Sequence, residues 1–186
     1  MAELIKCKSC GFVMEAGRLH DVCPACGVPA KMFEPYIDTV SDKRRMILGM
    51  HIHPIIVHFP QAFGAVLFIF SAAMFFIQGQ LRDDIFTTSK VIAFFLPIVL
   101  ALSFVTGLFD GTIRFRKIQS PYLVQKIVWA SIYVVLSVVF FAVLIKGGYA
   151  STTSTAILTA ISAGLLESST MLGLIGTKLI DAKFPG

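Results

Sequence analysis

From Ile55 to Ile77 the chain carries no Asp, Glu, Lys or Arg. A run that long and apolar suits the hydrocarbon core of a bilayer, which takes roughly 20 apolar residues per helix. Three further stretches follow, and the sequence predicts spanning helices at about 54–78, 88–109, 122–145 and 154–179. The third has no charged side chain from Ile127 to Ile145. The second holds Pro97, which lipid tolerates when neighbouring helices satisfy the freed carbonyl, and a kink is expected there. The fourth is rich in Ser, Thr and Gly and contains Glu167, a composition that suits a helix packed among others. Gly107, Gly111, Gly173 and Gly176 are the expected points of close helix approach.

Composition divides the chain. It is 56% hydrophobic and 15% charged overall, yet residues 1–50 hold all four cysteines and many of the charges. That shift predicts a metal-binding domain at 1–34, a basic interfacial linker at 35–53 and a four-helix transmembrane domain at 54–186. The net charge of +5 does not point to nucleic acid, because the basic residues lie beside hydrophobic runs, where anionic lipid is the expected partner. A Thr39…Asp42 cap followed by Lys43-Arg44-Arg45 predicts a short interfacial helix in the linker. Mixed charges and two cysteines in the first fifteen residues argue against a cleavable leader.

Charge also predicts orientation. Lys43, Arg44, Arg45, Arg114, Arg116, Lys117, Lys178 and Lys183 gather on one side, against Arg82, Lys90 and Lys146 on the other. The expectation is a multi-pass protein of a bacterial or archaeal cytoplasmic membrane with both termini cytoplasmic. Four thiols in that reducing compartment are expected to be metal ligands rather than two disulfides.

Cys7-Lys8-Ser9-Cys10-Gly11 and Cys23-Pro24-Ala25-Cys26-Gly27 are two C-x-x-C-G loops. Each offers two thiolates to one metal, and the following glycine relieves the tight turn so that backbone amides can point at sulfur. A tetrahedral four-sulfur site takes zinc or iron, and spacing does not choose between them.

The paired knuckles, Phe12 after the first, the Cys-Pro-x-Cys-Gly form of the second and the closing Phe33-Glu34 together resemble the rubredoxin-like domain at the end of rubrerythrins. The resemblance covers residues 4–34. It implies a mononuclear iron cycling between ferric and ferrous states, with Cys7, Cys10, Cys23 and Cys26 as ligands. The hairpin between the knuckles is shorter than in free-standing rubredoxins and the aromatic core is reduced to Phe12 and Phe33, which keeps a structural zinc ribbon as the alternative. The expected fold class is therefore a small rubredoxin-like or zinc-ribbon-like β knuckle domain plus an all-α bundle of four transmembrane helices.

Three histidines fall in the segment 50–60, Met-His-Ile-His-Pro-Ile-Ile-Val-His-Phe-Pro. The "HPIIVHFP" run, "TGLFDG" at 106–111 and "GLIGTKLIDAKFPG" at 173–186 resemble a family of small four-helix bacterial membrane domains, a likeness that implies the fold and no activity. His53 before Pro54 is expected to be extended, and Pro60 to sit in a first helical turn. His58, then His53, then His51 are the candidates for a haem b or second metal; their bland role is interfacial hydrogen bonding. Helices two to four contain no histidine, so haem ligation needs His53 with His58, or His58 from two protomers of a homo-oligomer, or a second ligand other than histidine.

Asp110, Lys126 and Glu167 are the candidates for a quinone or proton site, with a buried structural pair or a snorkelling Lys126 as the alternative. No nucleophile–base pair or phosphate-binding loop is apparent, so any enzymatic activity is expected to be that of an oxidoreductase. The function expected is electron relay from a cytoplasmic donor, a reductase or soluble carrier, through the cysteine-bound iron to a membrane haem or quinone. The competing class is a non-redox transporter or assembly subunit whose zinc knuckle recruits a partner.

Overall fold

The computed structural model describes residues 3–37, 41–115 and 120–180. Thr39 of the predicted cap lies outside them, as do Arg116, Lys117 and Lys183. The chain divides into two compact units, one comprising residues up to Arg45 and from Thr177 onward, the other Met46–Gly176.

The N-terminal unit contains three short antiparallel strands, β1 (Leu4–Cys7), β2 (Val13–Glu15) and β3 (Phe33–Tyr36), in the order β2-β1-β3. β1 pairs Ile5 with Met14 on one side and with Pro35 on the other, and Cys7 lies opposite Phe33. Pro35 lacks an N–H, and an edge strand such as β3 is where a sheet accommodates it. Among the described residues up to Arg45, only Cys7 and Cys23 are buried. Phe12, expected in the core, is 39% exposed, and Phe33 is half-buried. Sulfur occupies the centre that apolar side chains fill in a larger fold, and a sheet this small cannot stabilise itself by apolar burial.

The second unit is helical, and its first and last helices run past its bounds. Asp42–Gly49 forms α1, Ile52–Ile56 α2, His58–Ala73 α3, Gln80–Phe115 α4, Pro121–Gly147 α5 and Thr152–Ile180 α6. Four helical stretches are long and apolar enough to cross a membrane: Lys43–Ala73, Gln80–Phe115, Pro121–Gly147 and Thr152–Leu179. The partition of side chains fits lipid. Phe94, Phe95, Ile98, Leu102 and Val105 of α4 and Val124, Val128, Ile132 and Val135 of α5 are exposed, while Ser71, Ser89, Ser137, Thr155, Ser162 and Ser168 are buried. Large apolar side chains outside and small hydroxyls between helices suit a solvent of hydrocarbon. The interior joins Leu67, Leu96, Leu100, Tyr133, Phe140, Leu144, Leu158 and Leu165.

The helices differ from the predicted spans at their ends. The first is interrupted twice, by His51 in the left-handed region (φ 50°) and by a turn at Val57. His53 is helical rather than extended, because Pro54 falls in the first turn of α2, where its missing N–H breaks no intrahelical bond. Pro60 takes the equivalent place in α3, as its sequence position predicts. α3 stops at Ala73, and α4 begins at Gln80, well before 88. Hydropathy finds only the lipid-crossing part of a helix; the polar first turns of α4 carry their own support, with Gln80 donating to Asp84 at 2.9 Å and Thr88 to the Asp84 carbonyl at 2.8 Å. α4 is continuous through Pro97.

Arg82 closes the end of the bundle where α3 gives way to α4. Its guanidinium donates to the carbonyls of Met74 (2.8 Å), Ile77 (3.2 Å) and Tyr149 (2.5 Å). Tyr149 in turn shares a hydrogen bond with Ser71 at 2.9 Å and packs edge-on against Phe86.

Candidate metal centre

The two C-x-x-C-G loops adopt the same geometry. The amide of Gly11 donates to the carbonyl of Cys7 at 2.8 Å, and that of Gly27 to Cys23 at 2.9 Å. Both glycines are left-handed, with φ of 76° and 75°. A β-carbon is disfavoured in that region, so glycine at these positions lets each loop turn sharply enough to present two sulfurs. The loops close through Cys7 N–H to the Phe12 carbonyl and Cys23 N–H to the Val28 carbonyl, each 2.8 Å.

The four sulfur atoms all lie within 4.8 Å of one another. Cys7 Sγ is 3.8 Å from Cys26 Sγ, and Cys10 Sγ is 3.8 Å from Cys23 Sγ. These are not disulfide distances, which are near 2.05 Å. With metal–sulfur bonds of about 2.3 Å, the edge of a sulfur tetrahedron is about 3.8 Å. Two of the six sulfur–sulfur separations thus have the length one tetrahedral metal requires, and the four sulfurs are close enough together to share one ion.

The thiols are electrostatically unlike. Burial works against ionisation of Cys23, but the amides of Cys26 and Ala25 and the neighbouring thiols outweigh it and lower its pKa to about 7. The amide of Val28 favours the Cys26 thiolate, yet burial and contact with Cys10, Cys23 and Cys7 push its pKa to about 12. The clustered thiols thus give up their protons unequally, and metal binding displaces the protons that remain.

The structure sorts the membrane candidates differently from their order in the chain. His58 is exposed, and its Nδ1 donates to the Pro54 carbonyl at 2.6 Å. His51 is exposed as well, with Nδ1 2.6 Å from the Gly49 carbonyl. His53 points inward: it is half-buried, 3.5 Å from the Thr106 hydroxyl, and its ring covers Gly107 so closely that a Cβ there would lie 2.8 Å from Cε1. Asp110 and Lys126 act electrostatically on it. Asp110 pairs with Arg114 at 3.4 Å, one turn along α4. Glu167 stands apart, exposed on the outer face of α6. Among the described residues, the four cysteines form the group of His, Cys, Asp or Glu side chains placed to share a metal.

Three residues that shape the bundle, Gln61, Gly64 and Tyr133, were not singled out from the sequence, and Arg82 was counted there only for its charge. Tyr133 and Gln61 carried a signal, being polar side chains in helices otherwise nearly free of polarity.

Residues 6–34 match the family model described as the rubredoxin-like domain of rubrerythrin. No curated protein and no solved structure matches the chain.

Proposed function

We propose that this protein is a membrane-anchored electron carrier: a four-cysteine iron centre that takes electrons from a cytoplasmic donor, a reductase or soluble carrier, and passes them to a quinone or haem in the bilayer. The reading rests on four sulfurs clustered within 4.8 Å of one another in a segment similar to a rubredoxin-like domain. Iron in such a site supplies one-electron ferric/ferrous chemistry. Cys7, Cys10, Cys23 and Cys26 would hold it, and the amides aimed at Cys23 and Cys26 stabilise negative charge on sulfur. Reduction of a quinone to a quinol takes two such electrons and two protons, and His53 and Lys126 are titratable groups placed between the helices to handle protons. The excess of Lys and Arg on one side supports a cytoplasmic placement of both termini.

The test is a metal count and a reduced-minus-oxidised spectrum of the full chain in detergent. The expected result is one iron per chain and a visible ferric band that bleaches on reduction and is missing from Cys10→Ser. A haem acceptor would add a Soret band. Stoichiometric zinc with no visible band would end the relay reading and favour a zinc knuckle that recruits a partner.

A further inference from the structure

The face that α6 turns away from the bundle is unlike the outer faces of the neighbouring helices. On α4 that surface is Phe94, Phe95, Ile98, Leu102 and Val105, and on α5 it is Val124, Val128, Ile132 and Val135. On α6 it is Thr153, Ala156, Ala160, Ala163, Glu167 and Thr170, all exposed. Among the described residues of α6, the exposed large apolar side chains are Ile157 and Leu174. Small residues on a transmembrane helix let the backbone of another helix approach closely. The six positions advance by three and four residues in turn, the repeat by which one helix packs along another.

A second, independent observation falls on the same face. Glu167 is exposed near the middle of the Thr152–Leu179 stretch and makes no hydrogen bond or ion pair among the described residues. Its own bundle lies behind it, packed on Leu158, Ser162, Leu165 and Ser169, which are buried on the opposite side of α6. An ionisable side chain at that depth is costly against hydrocarbon, and such residues pair with a partner.

We propose that this face docks a second copy of the chain, α6 against α6, in a symmetric dimer. Copies inserted with the same topology are related by a twofold axis along the membrane normal, so the two helices run parallel and each residue of the repeat meets its counterpart. The alanines bring the backbones together. At the middle the two Glu167 carboxyls meet, and the protonated one donates to the ionised one, a hydrogen bond that hydrocarbon cannot supply. A second copy places a hydrogen-bonding group at the depth of Glu167 by symmetry alone, whereas an unrelated chain would need one set there independently. In the separate copy the carboxyl faces lipid, and association removes that cost. The dimer is independent of the relay reading and of the metal in the knuckle.

The test is Förster transfer between full chains carrying a donor or an acceptor fluorophore at the C-terminus, reconstituted in phosphatidylcholine vesicles over a dilution series of protein to lipid. Transfer that saturates as a monomer–dimer equilibrium is expected. Ala156→Leu and Ala160→Leu, which add bulk to the contact and not to the bundle, should abolish it. Glu167→Leu should weaken association about tenfold, as loss of one interhelical hydrogen bond predicts. Glu167→Gln should retain it, since an amide both donates and accepts. Val135→Leu, on the outer face of α5, should change nothing, and helical circular dichroism shows that each variant is folded. Transfer that only rises linearly with acceptor density overturns the dimer and leaves the face to lipid or to a different chain. Transfer that saturates equally in wild type, Ala156→Leu and Ala160→Leu puts the contact elsewhere and overturns the assignment to α6.

Discussion

Tyr133 donates a hydrogen bond to the carbonyl of Pro60 at 2.5 Å, and its hydroxyl lies where the Cβ of any residue but glycine at position 64 would have to go. Tyr133 is 1% exposed and central to the helical core. Gly64→Ala should therefore destabilise the bundle by about 1–3 kcal/mol, the usual cost of overpacking. Tyr133→Phe should cost about 1 kcal/mol for the lost hydrogen bond. Together the two should cost less than their sum, because phenylalanine leaves room for the methyl group. Unfolding in mixed detergent micelles measures all three, and strict additivity would contradict the steric coupling.

Cys7 and Cys23 are the buried residues of the knuckle, so its metal and its fold should be lost together. Chelation, or Cys10→Ser or Cys26→Ser, should collapse the dispersed amide spectrum of residues 4–34 while the helical circular dichroism of the membrane unit stays. Structural metal sites of this type contribute about 10–16 kcal/mol at neutral pH, far more than a sheet of this size can supply otherwise. Protons compete with the metal for thiolates, so acidification should release it. A knuckle spectrum unchanged after chelation would show that the strands hold without metal.

Arg82 satisfies carbonyls of two segments that no helix serves, the end of α3 and the turn before α6. Arg82→Ala should lower bundle stability by roughly 2–4 kcal/mol, in the range of two charge-assisted hydrogen bonds. Arg82→Lys should recover only part of it, since an ammonium cannot fork between carbonyls as a guanidinium does. Thermal unfolding of the three proteins gives the order wild type, Lys, Ala; a lysine variant equal to wild type would reduce the role of Arg82 to charge alone.

The cysteine cluster was legible because its geometry is local: two C-x-x-C-G loops determine their own turns, and Gly11 and Gly27 are left-handed as those turns require. The four spanning helices were legible because lipid demands unbroken apolar length. Which face of each helix turns inward was not. His58 and His53 look equivalent in the chain, yet the left-handed His51 and the break at Val57 leave His58 outside while His53 packs on Gly107. Gly107 and the Gly173/Gly176 pair were expected to bring helices together; the structure sets a side chain or a polar group against each. In a bundle whose lipid-facing and buried positions are both apolar, periodicity gives no direction, and Glu167 shows this most clearly.

Glu167 belongs with Asp110 and Lys126 in sequence terms, as an acid in a spanning helix, but it is exposed on α6 about 20 Å from either end of the Thr152–Leu179 stretch at 1.5 Å per residue. An acidic side chain at that depth facing lipid costs about 3 kcal/mol relative to an apolar one. Glu167→Leu should therefore stabilise the bundle by roughly 2–3 kcal/mol in a bilayer. Unfolding midpoints of the two proteins, measured in the same bilayer mimetic, read the effect. A midpoint that Glu167→Leu leaves unchanged or lowers would show that the carboxylate does not face hydrocarbon.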